Sequence, residues 1–372
     1  MTVTPLPSIL EIEPYKPGES EAKAQRVVRL AANEGAFGPP PAAIEAFRAA
    51  AGDLHRYPDG GSAGLRRAIA DRYGYDPDRI VCGNGSDELI ALLIKAYAPA
   101  GSEVLHSQHG FLMYALSAKA AGAIPVAAPE RDLRTDIDAL LTAVTPRTRM
   151  VFLANPNNPT GSHLAPHEVA RLRAGLPDHV LLVIDAAYAE YLARNDYTPG
   201  DDLVDAGDNV VMLRTFSKIY GLAALRLGWL YGPPGVVDVL NRVRGPFNVN
   251  SAAQAAGIAA IADQDFVNTS RRHNDQARQR TIEALTGLGF RVWPSVANFV
   301  LVDFAKANGA TGAADGARKA AAAADLLRRE GILVRQVGGY GLAHCLRVGI
   351  GTDEEMALAI DGFRAVRTAL DG

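Results

Sequence analysis

The chain reads as an α/β protein, with a large domain built on a mainly parallel sheet flanked by helices and a smaller C-terminal α+β domain. Three observations predict this. Short apolar runs alternate with helix-like segments through the first two thirds of the chain, and unbroken apolar strands of that kind belong to a sheet covered on both faces. After Gly245-Pro246 the helices cluster and strands become fewer. The length, 372 residues, exceeds what a single core comfortably organises.

Residues 1–40 are rich in Pro and Gly and read as an extended arm with little core of its own. We assign 1–30 to the arm, 31–245 to the large domain and 246–372 to the small one. A helical pattern runs from Ala42 through Ile44, Phe47 and Leu54 until RYPDGG (56–61) breaks it, and a second helix follows around Leu65–Arg72. Strands are predicted at Ile80–Cys82, Val104–His106, Ile124–Ala127, Met150–Ala154, Val180–Asp185, Val210–Arg214 and Leu227–Tyr231. Helices between them fall at Asp87–Tyr97, Gly110–Ala121 and Pro166–Ala174. In the small domain we expect helices at about Ser251–Ala262, Asp275–Leu288 and Ala317–Glu330. Strands there fall at Asn298–Phe304, Ile332–Arg335 and Cys345–Val348, with a helix closing the chain.

Composition excludes several classes of function. With 38 basic against 41 acidic residues the net charge is −3, which leaves no basic footprint for nucleic acid or for an anionic membrane surface. Two cysteines, Cys82 and Cys345, are too few for a disulfide framework or a cysteine zinc site. No apolar run approaches membrane-spanning length, and the N-terminus lacks a signal pattern. We expect a cytoplasmic protein without a metal centre.

The candidate chemistry sits where strands meet loops, and ligands of open α/β sheets bind at the carboxyl ends of the strands. Gly83-Asn84-Gly85-Ser86-Asp87-Glu88 separates a strand from an apolar helix. Small residues there allow a sharp turn, and the helix N-terminus can hold a phosphate; capping by Ser86 or Asp87 is the plainer alternative. A dinucleotide fingerprint needs a third Gly where Glu88 stands. Asn155-Pro156-Asn157-Asn158-Pro159-Thr160-Gly161 is either a stiff turn or a mount for an Asn amide. Asp185 ends a buried strand and needs a partner, a helix end or a cation. Lys218 follows Thr215 and Ser217 and precedes Arg226; it is an exposed loop lysine or an amine nucleophile with a lowered pKa. Arg347, inside an apolar strand, requires an anion.

Together these residues suit pyridoxal phosphate, and the sequence resembles the fold type I, class I/II pyridoxal-phosphate aminotransferases, most closely the histidinol-phosphate aminotransferases. PYKPG (14–18), LAANEGAFGP (30–39), RYPD (56–59), GNGSDELI (83–90), NPNNPTG (155–161), DAAY (185–188), TFSK (215–218), RLGW (226–229), ANF (297–299) and LRVGIGT (346–352) carry the likeness over nearly the whole chain. The resemblance implies that Lys218 carries the cofactor and moves the proton. It implies that Asp185 pairs with the pyridine nitrogen and that Asn158 and Tyr188 bind the ring 3′-oxygen. Thr215, Ser217, Arg226 and the amides of Ser86 and Asp87 are then the phosphate site. Phe111 stands where the family stacks an aromatic ring, often Tyr. Tyr57 resembles the residue that reaches the neighbouring subunit's phosphate, so a homodimer with shared active sites follows.

Arg347 matches the family's substrate-anion arginine. With Arg335 and Tyr15 it would take the substrate phosphate, and Asn33 lies near the substrate. One antiparallel strand in the sheet is also implied. The expected reaction is ping-pong transfer between glutamate/2-oxoglutarate and histidinol phosphate/imidazole-acetol phosphate, a step of histidine biosynthesis. An aromatic amino acid (Phe/Tyr) aminotransferase, a threonine-phosphate decarboxylase and a non-enzymatic binding domain stand as alternatives. The last would predict erosion of Lys218, Asp185 or Arg226, and all three are intact.

Overall fold

The computed structural model describes Pro5 and residues 7–14, 26–305 and 312–371. Seven strands form the large sheet: β1 (Ile80–Gly83), β2 (Glu103–Ser107), β3 (Ile124–Ala128), β4 (Thr148–Ala154), β5 (Leu181–Asp185), β6 (Val210–Thr215) and β7 (Gly228–Tyr231). Their spatial order is β1-β7-β6-β5-β4-β2-β3. All run parallel except β7, which lies antiparallel between β1 and β6. Each falls on a predicted apolar run.

Those runs are continuous because the sheet has two buried faces. Leu182 and Ile184 of β5 enter one core with Met212 of β6, while Leu181 and Val183 enter the opposite core with Val211 and Leu213. Each such side chain contributes about 1.5–3 kcal/mol on full burial, so neither face tolerates a polar residue cheaply. Polar groups are therefore displaced to the strand ends. The carboxyl ends of β1, β2, β4, β5 and β6 share one edge of the sheet. Because β7 runs the other way, its start lies on that edge, and this brings Arg226, two residues before Gly228, to the same place.

A second sheet contains β8 (Arg291–Trp293), β9 (Phe299–Asp303), β10 (Arg335–Gln336) and β11 (Cys345–Gly349), all antiparallel in the order β8-β9-β11-β10. Helices Gln264–Gly287, Ala313–Arg329 and Asp353–Asp371 supply Leu285, Leu327 and Phe363 to its core.

Several features depart from the expected elements, β8 among them, which has no counterpart in the sequence reading. The strand expected over Ile332–Arg335 is two strands: Ile332–Leu333 pairs with Val28–Arg29, and Arg335–Gln336 pairs with β11. Val28 and Leu30 are buried in the small-sheet core, so the end of the arm is a working part of that body; pairing over 300 residues leaves no local periodic signal. The helix expected from Asp275 starts at Gln264, because the Asp263 side chain accepts the amide of Phe266. Helix Ser251–Ala262 packs with the large-sheet core through Ala253, Ala256 and Ala260. We therefore propose that the passage between the two bodies lies after Ala262 rather than near 245. Tyr15 falls outside the described residues.

A buried ion pair ties two of the strand-end loops together. Arg214, just before Thr215, donates to Glu190, two residues past Tyr188, at 2.7 Å. Tyr73 accepts from the same guanidinium at 2.9 Å, and Arg271 Nε binds the Glu190 carbonyl at 2.6 Å. Removing one partner strands the other's charge in the core, at a cost of about 3–5 kcal/mol. We expect Glu190→Ala to lose stability of that order in urea unfolding, and a loss within experimental error would refute the clamp.

Candidate active site

The sheet edge opens on a cavity of about 110 Å³ lined by Asp87, Phe111, Asn158, Asp185, Tyr188 and Lys218, with Ser86, Thr215, Ser217 and Arg226 at one end. The structure thus gathers ten of the predicted residues, from six separate sequence segments, around one space.

The end formed by Gly85, Ser86 and Arg226 is built from close approach. Gly85 has φ of 83°, and a Cβ there would lie 2.6 Å from the Arg226 guanidinium. At Gly228 a Cβ would lie 2.4 Å from the amide nitrogen of Ser86. These glycines let strand and helix backbones meet. Helix Ser86–Tyr97 starts there without a side-chain cap, so its first amides face the cavity end as hydrogen-bond donors. The capping alternative for Ser86 and Asp87 is thereby set aside. Arg226 itself holds φ of 51°, a left-handed backbone that costs on the order of 1–3 kcal/mol for a non-glycine residue. Its guanidinium donates to Ser217 Oγ at 3.3 Å and to Asp87 at 3.2 Å, and Thr215 Oγ accepts the Ser217 amide at 3.1 Å. A guanidinium, two hydroxyls and free helix amides make a receptor for a dianion.

Asp185 lies on the cavity floor, 6% exposed. Burial pushes its carboxyl up to about 6, against which donation from Tyr114 pulls it down. The Tyr114 hydroxyl donates to Oδ2 at 2.6 Å, and the Ala187 amide donates to Oδ1 at 3.3 Å. Lys218 lies opposite. Its Nζ donates to the Ala32 carbonyl at 3.2 Å and sits 5.7 Å from the Tyr188 ring centre. Burial, with Arg347 and Arg226 nearby, brings its amine down to about 8.

The small domain closes the remaining side. Arg347 of β11 donates to Asn158 Oδ1 at 2.5 Å and to the Ala31 carbonyl at 2.7 Å. Arg335 stands directly across from Arg347 in the β10–β11 register. Asn33, at φ of 55°, donates to the Tyr188 hydroxyl at 3.0 Å. Its Oδ1 is buried and accepts no hydrogen bond among the described residues. Asn298 of the ANF motif fixes that segment by donating to the carbonyls of Asn33 and Glu34. Tyr57 is not brought to this cavity: it is 83% exposed and stacks on Phe247.

Sequence reasoning missed Tyr114, Glu190 and Arg214. Tyr114 lies in the first turn of the helix that Phe111 caps, and a phenol on an apolar helix face needs an acceptor; that signal was available.

Residues 25–363 match the family described as aminotransferase class I and II. The chain belongs to that family and is an aminotransferase of fold type I. Among its relatives, histidinol-phosphate aminotransferase of Rhodospirillum centenum is 58% identical over 360 residues, covering 96% of this chain and 97% of the relative. The enzyme of the same name from Paramagnetospirillum magneticum is 56% identical, covering 97% of each chain. A crystal structure of histidinol-phosphate aminotransferase from Sinorhizobium meliloti in complex with pyridoxal-5′-phosphate superposes with a TM-score of 0.88 at 33% identity, covering 98% of this chain and 97% of that one.

With an amine near 8, about a tenth of the Lys218 side chains are neutral at pH 7 and most are neutral at pH 9. In the cofactor-free protein, the rate at which an amine reagent labels Lys218 should rise with pH and level off just above about 8. Peptide mass spectrometry reads this, and a midpoint at an ordinary lysine's value contradicts it.

Proposed function

We propose that the chain transfers an amino group between glutamate and histidinol phosphate, with 2-oxoglutarate and imidazole-acetol phosphate as the keto partners, as a step of histidine biosynthesis. The observation that carries the reading is one cavity faced by a lysine of lowered pKa, with Arg347 bonded to the cavity residue Asn158 and Arg335 opposite Arg347 in the next strand. The full-length likeness to enzymes of that name supports it. The site residues fit pyridoxal phosphate: the lysine, the buried carboxylate and the dianion receptor surround a single space.

When bound, pyridoxal phosphate supplies an electron sink for negative charge developing on the substrate carbon. Lys218, uncharged above about pH 8, is the base that takes the proton from that carbon and the acid that returns it. Asp185 holds a proton on the ring nitrogen. Arg226, Thr215, Ser217 and the amides of Ser86 and Asp87 anchor the cofactor phosphate. Asn158 and Tyr188 orient the ring through its 3′-oxygen, and Phe111 covers one face. Arg347 and Arg335 take the substrate's anionic group: a phosphate dianion calls for two cations, and glutamate's carboxylates can use the same pair. Asn33, with its unsatisfied Oδ1, faces the substrate side.

The same reading makes the enzyme a homodimer. Tyr57 and Phe247 stack at 4.6 Å while both are exposed, and Phe47, Leu54 and Ile258 are exposed apolar residues as well. Tyr57 then serves the neighbouring subunit's phosphate site. We place the reaction in the cytoplasm, where two reduced thiols are the ordinary state; no helix among the described residues is long and apolar enough to cross a membrane.

Three measurements test this. Titrating the holoenzyme separately with histidinol phosphate, phenylalanine and tyrosine should bleach the visible cofactor band far more efficiently with histidinol phosphate; equal or better response to phenylalanine or tyrosine transfers the assignment to an aromatic aminotransferase. Arg335→Ala should lower kcat/KM for histidinol phosphate roughly tenfold or more, the scale of a lost charged hydrogen bond. It should leave the visible band intact. Mixing inactive Lys218→Ala with Tyr57→Ala subunits should regain turnover, because the hybrid dimer holds one complete site; no regain speaks against shared sites.

A further inference from the structure

Tyr114 has none of the roles assigned above, yet it makes the shortest contact to Asp185. It lies on helix Leu112–Ala120 and is fully buried. Its ring stacks on Phe152 at 4.5 Å and 15°, and meets Phe111 edge-on at 5.8 Å and 84°. Those contacts are satisfied by a ring alone. A phenylalanine would fill the same space without bringing a hydroxyl into an apolar core, where it costs free energy unless bonded. Among the described residues the hydroxyl's hydrogen-bond partner is Asp185 Oδ2, at 2.6 Å.

The groups facing Asp185 act in opposite directions. Burial and the Asp87 charge push its carboxyl up, while the Tyr114 hydroxyl, the Ala187 amide and Lys218 bring it down, with Tyr114 the strongest of these three. Tyr114's own acidity is suppressed by burial and by Asp185, so it stays protonated and remains a donor across the working range. Two ring contacts fix its direction. The donor is thus rigid, neutral and always present.

We propose that Tyr114 is a positioning residue for the cofactor nitrogen: its hydroxyl engages one oxygen of Asp185, aims the other at the pyridine ring, and lowers the carboxylate's basicity so that the shared proton stays on nitrogen. A proton held between a carboxylate and a pyridine rests on the more basic partner. Without the hydroxyl the carboxylate gains basicity, the proton moves toward Asp185, and the ring becomes a poorer electron sink. Phe111 and Tyr114, one helical turn apart, then set the cofactor's face and its nitrogen from one element. The inference rests on the reading that Asp185 serves the pyridine nitrogen.

The test uses holoenzyme carrying pyridoxal phosphate labelled with 15N at the ring nitrogen. Its resonance is followed against pH in the parent, Tyr114→Phe and Asp185→Asn. The Phe variant should move the ring-nitrogen resonance near neutral pH from the protonated position toward the unprotonated one, because the shared proton shifts to Asp185. Its kcat should fall about tenfold, the scale of losing one hydrogen bond to a charged group, with KM little changed. Should Tyr114→Phe not fold, site-specific 3-fluorotyrosine at position 114 keeps the shape and strengthens the donor, and the resonance should move the other way, toward the fully protonated ring. Neutral-pH resonances equal to the parent's in the replacements, while Asp185→Asn shifts its own, overturn the role of Tyr114 alone. An unmoved resonance in Asp185→Asn overturns the reading of Asp185 and this inference with it.

Discussion

A carboxylate at the end of a fully buried strand is the constraint on which this molecule turns. β5 has apolar cores on both faces, so Asp185 cannot escape to water by a change of rotamer alone. It must be satisfied at the sheet edge, by groups delivered from elsewhere. Tyr114 arrives from the helix after β2, the Ala187 amide from the turn that follows, and Lys218 from the loop after β6. The cavity is what remains between these groups. Its polarity is the consequence of a sheet whose middle is apolar on both faces.

The single antiparallel strand matters in the same terms. Had β7 run parallel, its start would lie at the far edge, and Arg226 with it. Running antiparallel between β1 and β6, it returns Arg226 to the helix N-terminus at Ser86. The cost is a left-handed Arg226 and two glycines with no room for a side chain. Asn33 shows a second strained backbone on the opposite side, held by Asn298. Local strain of this kind persists where the surroundings over-determine it. Here the surroundings are the two domains themselves: Arg347 reaches Asn158, His109 reaches the Tyr340 carbonyl at 2.7 Å, and Asn298 grips the segment that leaves the arm.

Electrostatics follow from the packing. Lys218 has a lowered pKa because it is half-buried in a cavity wall near arginines, and Asp185 a raised one because it is buried. Arg214 and Glu190 are buried too, and they compensate one another's charge directly. One pair of charges is neutralised to brace the loops. The other charges are left facing a cavity, where a ligand can satisfy them.

Much of this was legible in the chain. The apolar runs of the large sheet, the helices between them, and the residues at the strand ends could all be read, because period and turn chemistry are local properties of sequence. Lys218, Asp185, Asn158, Arg226 and Arg347 stood out because each is a polar group where burial is expected. What the sequence could not show was who meets whom. The two-residue pairing of Val28–Arg29 with Ile332–Leu333, the packing of helix Ser251–Ala262 with the first core, and the ion pair of Arg214 with Glu190 join residues far apart in the chain. In the sequence Tyr114 is one more aromatic on an apolar helix; only the fold sets its hydroxyl against Asp185. Residue types and periodicity determined the elements and the inventory of reactive groups; only tertiary packing decided their partners, since burial and distance are properties of the assembled fold and have no local trace in the sequence.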